Sequence, residues 1–111
     1  MDLDLRRIRE AVRRNRYSIS PHALIEAKKD GLAPETAKKL EYVVLHSQVI
    51  EEYSDRHRGL FFAELPEEGL PVHVVLDYSF AEEPAIVTAY VPDERDWIQF
   101  QIRKKKKGKR L

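Results

Sequence analysis

Hydrophobic residues near the start of the chain recur at the spacing of an amphipathic helix. Leu5, Ile8 and Val12 follow one another at intervals of three and four residues, with arginines between them. A helix over about residues 3–14 would therefore be apolar on one side and strongly basic on the other. An aspartate just before these residues is available as its N-cap.

Two further helices are predicted before the pattern changes. Ser20 can cap a helix whose first turn holds Pro21, and Gly31 supplies the left-handed residue that commonly ends a helix. A second helix is predicted from Pro34 to about His46, because its apolar residues again lie on one side.

After the helices the apolar positions alternate with a period of two, which is typical of β-strands. One short strand is also predicted between the first two helices. The predicted strands cover residues 17–19, 48–53, 60–65, 70–78 and 85–91. Short turns separate the last four strands, so neighbouring strands are expected to be antiparallel.

The last predicted element is a helix that Asp93 caps and that carries Trp97, Ile98 and Ile102. Helices in the first half of a chain and strands in the second half are typical of an α+β fold. We therefore expect a four-stranded antiparallel sheet, with residues 17–19 as a candidate fifth strand. N-terminal helices and a C-terminal helix would pack on this sheet.

The most apolar predicted strand contains a histidine. If Asp77 lies opposite Ile86 in the next strand, His73 lies opposite Tyr90, and Thr88 shares their face of the sheet. This polar patch on an otherwise apolar sheet is one candidate site. The alternative interpretation is a hydrogen-bonded core histidine beside a tyrosine.

His22 is a second candidate, because it lies in the first turn of the helix that Ser20 caps. The positive end of the helix dipole favours the neutral imidazole, which can accept a proton at neutral pH. The alternative is that His22 only helps this turn to pack. No histidine pair has the spacing of a metal site and no glycine-rich phosphate loop is present, so neither a metal nor a cofactor is expected.

Charge divides the chain into three parts. Residues 1–16 carry six arginines against three acids, a net charge of +3, and residues 103–111 carry seven lysines or arginines and no acid. Because the whole chain has a net charge of +1, residues 17–102 carry −9. We interpret the parts as an Arg-rich helix, one α+β domain and a basic tail. Basic runs attract phosphate groups, although many only solubilise a protein.

Composition excludes several classes of site. The chain of 111 residues suits one domain and contains no cysteine, which rules out disulfides, thiolate zinc sites and cysteine nucleophiles. No apolar run is long enough to span a bilayer, so we expect no membrane partner and a location in the cytoplasm. Charged residues reach 35%, with one asparagine and one methionine, which is typical of thermophilic proteins.

Segments within residues 17–97 resemble a bacterial family that is labelled a domain of unknown function. The motifs that carry the resemblance are S-x-H-A at Ser20–Ala23, P-x-H-V-V at Pro71–Val75 and T-x-Y-x-P at Thr88–Pro92, together with Val49–Tyr53. That family is similar to the RelE/ParE and BrnT toxin superfamily. In that superfamily helices pack on an antiparallel sheet, and many members are metal-independent ribonucleases.

The resemblance implies catalytic roles for His22, His73 and Tyr90, which match motif positions of the family. Basic side chains of the second helix and of the C-terminal segment would bind RNA. These predicted RNA-binding residues are Lys28, Lys29, Arg103, Lys104, Lys105, Lys106 and Lys107. One position departs from the family, because Glu26 stands where an arginine is expected and its negative charge would disfavour a phosphodiester nearby.

Three functions are predicted from these observations. The first is a RelE-like toxin-type domain that binds or cleaves RNA. His22 would be the base, His73 or Tyr90 the acid, and basic side chains would stabilise the charged phosphorane. The second is a non-catalytic module that binds nucleic acid or the ribosome through its basic ends. The third is a protein-interaction domain that receives an antitoxin.

Overall fold

Apolar side chains of the helices and strands form one core between a helical layer and one face of a β-sheet. A computed structural model describes residues 3–104. The helices are α1 (Leu5–Arg13), α2 (Pro21–Lys29) and α3 (Thr36–His46). The strands are β1 (Ser18–Ile19), β2 (Gln48–Tyr53), β3 (Arg58–Glu64), β4 (Pro71–Asp77), β5 (Ala85–Tyr90), β6 (Trp97–Ile98) and β7 (Ile102–Arg103). The α+β class is confirmed for these residues.

Five strands form one mixed sheet in the order β1-β5-β4-β3-β2. The strands β2 to β5 make the predicted antiparallel meander, but β1 runs parallel to β5 at one edge. The prediction of a wholly antiparallel sheet is wrong in this respect. Because most of the chain separates β1 from β5, no hairpin sets their relative direction. Instead, Ser20 N donates to the Ile86 carbonyl beside this pair at 2.9 Å.

The helices cover the sheet face that carries alternate apolar residues of the central strand. Val72, Val74 and Leu76 of β4 are fully buried in this core. The helical members of the same core are Ile8, Val12, Ala23, Ala27, Leu40, Val43 and Val44. Because α1 contributes two of them, the Arg-rich helix is built into the same core as the remaining helices and the sheet.

One arginine of α1 connects two helices. Arg9 donates through Nε to the Val44 carbonyl at 3.1 Å and through Nη2 to the Ser47 carbonyl at 2.6 Å. These carbonyls lie at the C-terminal end of α3, where backbone acceptors lack partners within the helix and a cation interacts favourably with the dipole. Arg9 therefore stabilises the packing of α1 on α3.

The register of β4 and β5 brings the predicted polar pair together. His73 lies opposite Tyr90, as predicted, although Asp77 lies opposite Ala85 rather than Ile86. A bulge places one extra residue in β5 between these pairs. The predicted pairing of Asp77 with Ile86 is therefore wrong, whereas the predicted pairing of His73 with Tyr90 is correct.

The C-terminal segment is a hairpin, and the predicted C-terminal helix is wrong. Asp93 accepts a hydrogen bond from the Arg95 N–H at 2.8 Å, but this turn does not continue into a helix. Trp97 is buried, and the chain reverses through Gln99 and Phe100, both of which have positive φ. Left-handed residues cannot extend a right-handed helix, so β7 pairs with β6 instead.

The N-cap of α2 gives a test of the fold. Ser20 Oγ accepts the N–H of Ala23 at 3.0 Å and donates to the Val87 carbonyl at 3.2 Å. We expect Ser20→Ala to lower the free energy of unfolding by about 1 kcal/mol, measured by urea denaturation. The control is Ser18→Ala, an exposed serine, with an expected change of less than about 0.5 kcal/mol. Equal stability of the two variants would contradict the capping role.

Candidate nucleic-acid interface

His73 lies in the middle of the sheet with both ring nitrogens hydrogen-bonded. Its Nε2 is 2.7 Å from the carbonyl oxygen of Phe100, and its Nδ1 is 3.2 Å from the hydroxyl of Tyr90. A carbonyl only accepts, so Nε2 carries the proton and Nδ1 accepts from the tyrosine. The ring also makes edge contacts with Phe62 and Trp97. This arrangement holds the neutral imidazole.

Burial changes the acid–base properties of this pair. Burial lowers the pKa of His73, and the hydrogen bond to the Phe100 carbonyl only partly opposes this effect. Burial also raises the pKa of Tyr90 to about 12. At neutral pH His73 is therefore neutral and Tyr90 is protonated. Their hydrogen bonds order the sheet and the hairpin, and the imidazole has no nitrogen left for a substrate.

Arg103 attaches the hairpin to β2, the strand at the other edge of the sheet from β1. Its guanidinium lies 4.6 Å from the ring centre of Trp97, and Nη2 donates to Glu51 of β2 at 2.9 Å. Tyr53 donates to the same carboxylate. Burial tends to raise the pKa of Glu51, but the bonds from Arg103 and Tyr53 outweigh it and lower this pKa. The carboxylate is therefore ionised and paired with the arginine.

His22 is exposed at the start of α2, with Nε2 3.6 Å from Oε1 of Glu26. That distance is too long for a hydrogen bond. His73, by contrast, is buried on the sheet face that α2 does not cover. Within residues 3–104 no hydrogen bond, ion pair or ring contact joins the two histidines directly.

Glu26 binds the backbone of β5 beyond the end of the short edge strand β1. Its Oε1 accepts the N–H of Ala89 at 3.1 Å, and Asp30 accepts the N–H of Val91 at 2.8 Å. Residues four apart lie on the same side of a helix, so the two carboxylates reach alternate residues of the strand. They satisfy N–H groups that β1 is too short to pair. This role explains an acid at the position where the resemblance predicts an arginine.

A groove of about 640 Å³ lies beside α1. Within residues 3–104 its charged lining consists of Arg6, Arg7, Arg13, Arg14, Arg16, Asp4, Glu10 and Glu82, a net charge of +2. Arg7 pairs with Glu82 and Arg14 pairs with Glu10, each at 2.7 Å. Arg6 and Arg16 are exposed and form no ion pair with any residue in the described part of the chain. Both cations are therefore available to an anionic ligand.

Three of the predicted site residues meet on one face of the sheet. His73 and Tyr90 bond each other, and Arg103 lies over Trp97, whose ring contacts His73. The lysines Lys28 and Lys29 are exposed on α2, and Lys104 is exposed after β7. Lys105, Lys106 and Lys107 lie outside the described residues.

Sequence reasoning missed the partners that hold the hairpin. Trp97 was expected on a helix, and Glu51 had no predicted role. Glu51 and Arg103 are 52 positions apart, so no local pattern connects them. The prediction of a strand over residues 48–53 was the only available signal, because residues two apart in a strand, such as Glu51 and Tyr53, lie on the same face.

Two other kinds of feature are absent from residues 3–104. No group of three histidine, aspartate or glutamate side chains in that range could hold a metal ion. None of the three helices in the same range is long and apolar enough to cross a membrane.

Comparisons with protein-family models, with curated proteins and with solved structures find no match to this chain. The resemblance to the RelE-like superfamily stays a prediction for this reason. The same holds for the RNA, ribosome or antitoxin partners that it implies, and for the cytoplasmic location.

The lowered pKa of His73 predicts a dependence of stability on pH. The unfolded chain binds a proton at this imidazole more readily than the folded chain, so stability is complete above the ordinary pKa and is lost as the pH falls below it. Urea denaturation between about pH 7 and pH 5 should show this loss. The variant His73→Gln should show a shallower loss than the wild type. A His73→Gln slope equal to wild type would contradict the assignment.

The hydrogen bond from β5 to Glu26 predicts a second stability effect. Glu26→Ala leaves the buried N–H of Ala89 without an acceptor, which should cost about 2 kcal/mol of the free energy of unfolding. Glu26→Gln is the matched control, because its amide oxygen can still accept the bond. Urea denaturation of both variants measures the difference. Equal losses would show that the hydrogen bond is not the cause.

Proposed function

We propose that this chain is a RelE-like RNA-binding domain whose phosphate-binding surface is the groove beside α1. The observation that carries the proposal is the pair of exposed arginines, Arg6 and Arg16, which have no ion-pair partner in residues 3–104. Guanidinium groups bind phosphate oxygens through paired hydrogen bonds, and arginine is always protonated. The surface can therefore contact two phosphates of one strand.

The charge distribution supports an oriented complex. Residues 17–102 carry a net charge of −9, so a polyanion is repelled by most of the surface and attracted to the basic ends. Arg9 lies among the other arginines but is bound to the carbonyls of α3. It therefore holds the helix and does not belong to the binding set.

Binding without cleavage agrees best with the geometry of the predicted catalytic residues. Transfer of the ribose proton needs a base within hydrogen-bond reach of the substrate. Both nitrogens of His73 are occupied, and Tyr90 donates to one of them. His22 is the remaining exposed base, and no predicted acid contacts it among the described residues.

The proposal predicts how salt affects RNA binding. The double variant Arg6→Gln, Arg16→Gln removes two cations without breaking an ion pair, so the fold should be unchanged. The plot of log affinity against log salt for single-stranded RNA should become shallower by about 0.7 for each phosphate that the protein no longer neutralises. Fluorescence anisotropy with a labelled oligoribonucleotide at several salt concentrations measures this slope.

The matched control removes the same charge elsewhere. Lys38 and Arg56 are exposed cations within residues 17–102, the acidic part of the chain. The double variant Lys38→Gln, Arg56→Gln should therefore leave the salt slope nearly unchanged. If both double variants reduce the slope equally, binding is not localised to α1. If wild-type protein degrades the oligoribonucleotide and His22→Ala does not, the domain cleaves RNA and the binding-only proposal is wrong.

A further inference from the structure

All three glutamines of the chain line one groove. Gln48, Gln99 and Gln101 surround an open space of about 530 Å³ between the C-terminal hairpin and the start of β2. The only other carboxamide in the chain is Asn15, which lies after α1. In a chain with 35% charged residues, all three glutamine side chains thus lie around one groove.

Two of the amides form a pair with free hydrogen-bonding groups. Gln48 Nε2 donates to Gln101 Oε1 at 2.6 Å. The pair leaves the Gln48 carbonyl oxygen and the Gln101 amino group without a partner among residues 3–104. Reversal of both amides leaves the same set, one acceptor beside one donor group. A donor and an acceptor are the groups with which the edge of a nucleobase forms hydrogen bonds.

Aromatic side chains form another part of the same groove. Phe62 of β3 and Phe100 of the hairpin turn both line it and are half-buried. Exposed aromatic faces bind unstacked bases of single-stranded RNA, and polar groups then select among the bases. We propose that the groove binds one unstacked nucleobase of a single-stranded RNA. This inference rests on the RNA-binding function proposed above.

The charges around the groove favour a base over a phosphate. Glu64 is the one carboxylate among its described lining residues, which include the imidazole of His46 but no lysine or arginine. A phosphate would therefore be repelled, whereas a neutral base would not. Lys104 is exposed three positions after Gln101, where it can meet the phosphate that follows a bound base.

The groove is formed before a ligand arrives. Gln99 and Phe100 have φ of 53° and 62°, a conformation that non-glycine residues adopt only when other contacts stabilise it. The bond from His73 Nε2 to the Phe100 carbonyl supplies such a contact. His73 is thus a positioning residue for the turn that carries two of the glutamines. A preformed site loses less entropy on binding.

Ribonucleosides test the groove independently of α1, because they carry no phosphate. Adenosine, guanosine, cytidine and uridine would each be titrated into the full-length protein, and the side-chain amide signals followed by ¹⁵N NMR. We expect shifts at Gln48, Gln99 and Gln101, strongest for one nucleoside, and none at Asn15, which is an internal control. Equal shifts at Asn15, or no shift at any glutamine, would overturn the inference.

A double variant tests the role of the amides. Gln48→Met, Gln101→Met keeps the approximate volume and removes the hydrogen-bonding groups. It should weaken binding of the preferred nucleoside about tenfold or more, the effect of losing one paired base contact. An unchanged backbone spectrum would show that the variant is folded. Phe100→Leu, tested in the same way, should weaken all four nucleosides together.

The two proposals can fail separately. If nucleosides do not bind but the salt slope for RNA depends on Arg6 and Arg16, the groove inference is wrong and the RNA-binding function stands. If nucleosides shift the glutamine signals but RNA affinity does not depend on those arginines, α1 is not the phosphate-binding surface. Unchanged nucleoside affinity in the methionine variant would also overturn the inference.

Discussion

The position of the C-terminal hairpin depends on the hydrogen bond from His73 to the carbonyl of Phe100. This bond joins the centre of the sheet to a turn whose backbone conformation is unfavourable in isolation. Because the imidazole is buried and neutral, the bond persists where the sheet excludes water. Through this turn the bond also positions Gln99 and Gln101, which line the groove, and Lys104, which follows the hairpin.

The two faces of the sheet differ in what packs on them. One side packs against the helices and supplies the apolar core, and α1 on this side presents arginines to solvent. The other side carries the polar network around Trp97, with Arg103 bonded to Glu51. Arg103, in the described part of the basic C-terminal segment, therefore lies across the sheet from α1.

Much of the fold could be predicted, because its signals are local. The predicted bounds of β2 agree with the structure, and Ser20 caps α2 as expected. The site was less predictable. His73 and Tyr90 were paired correctly from the alternating pattern, but the carbonyl of Phe100 gives no signal in a sequence. Glu26 was considered as a charge near a phosphodiester, whereas its partner is the backbone of a strand 63 positions away.

The sequence by itself determined the three N-terminal helices, the meander and the charge of residues 17–102 relative to the basic ends, because periodicity, capping and charge are properties of neighbouring residues. Only the tertiary structure decided the direction of β1, the hairpin in place of a C-terminal helix, and the gathering of Gln48, Gln99 and Gln101 into one groove. Each of these depends on contacts between residues far apart in the chain. Such contacts form only when the sheet has brought the distant segments together.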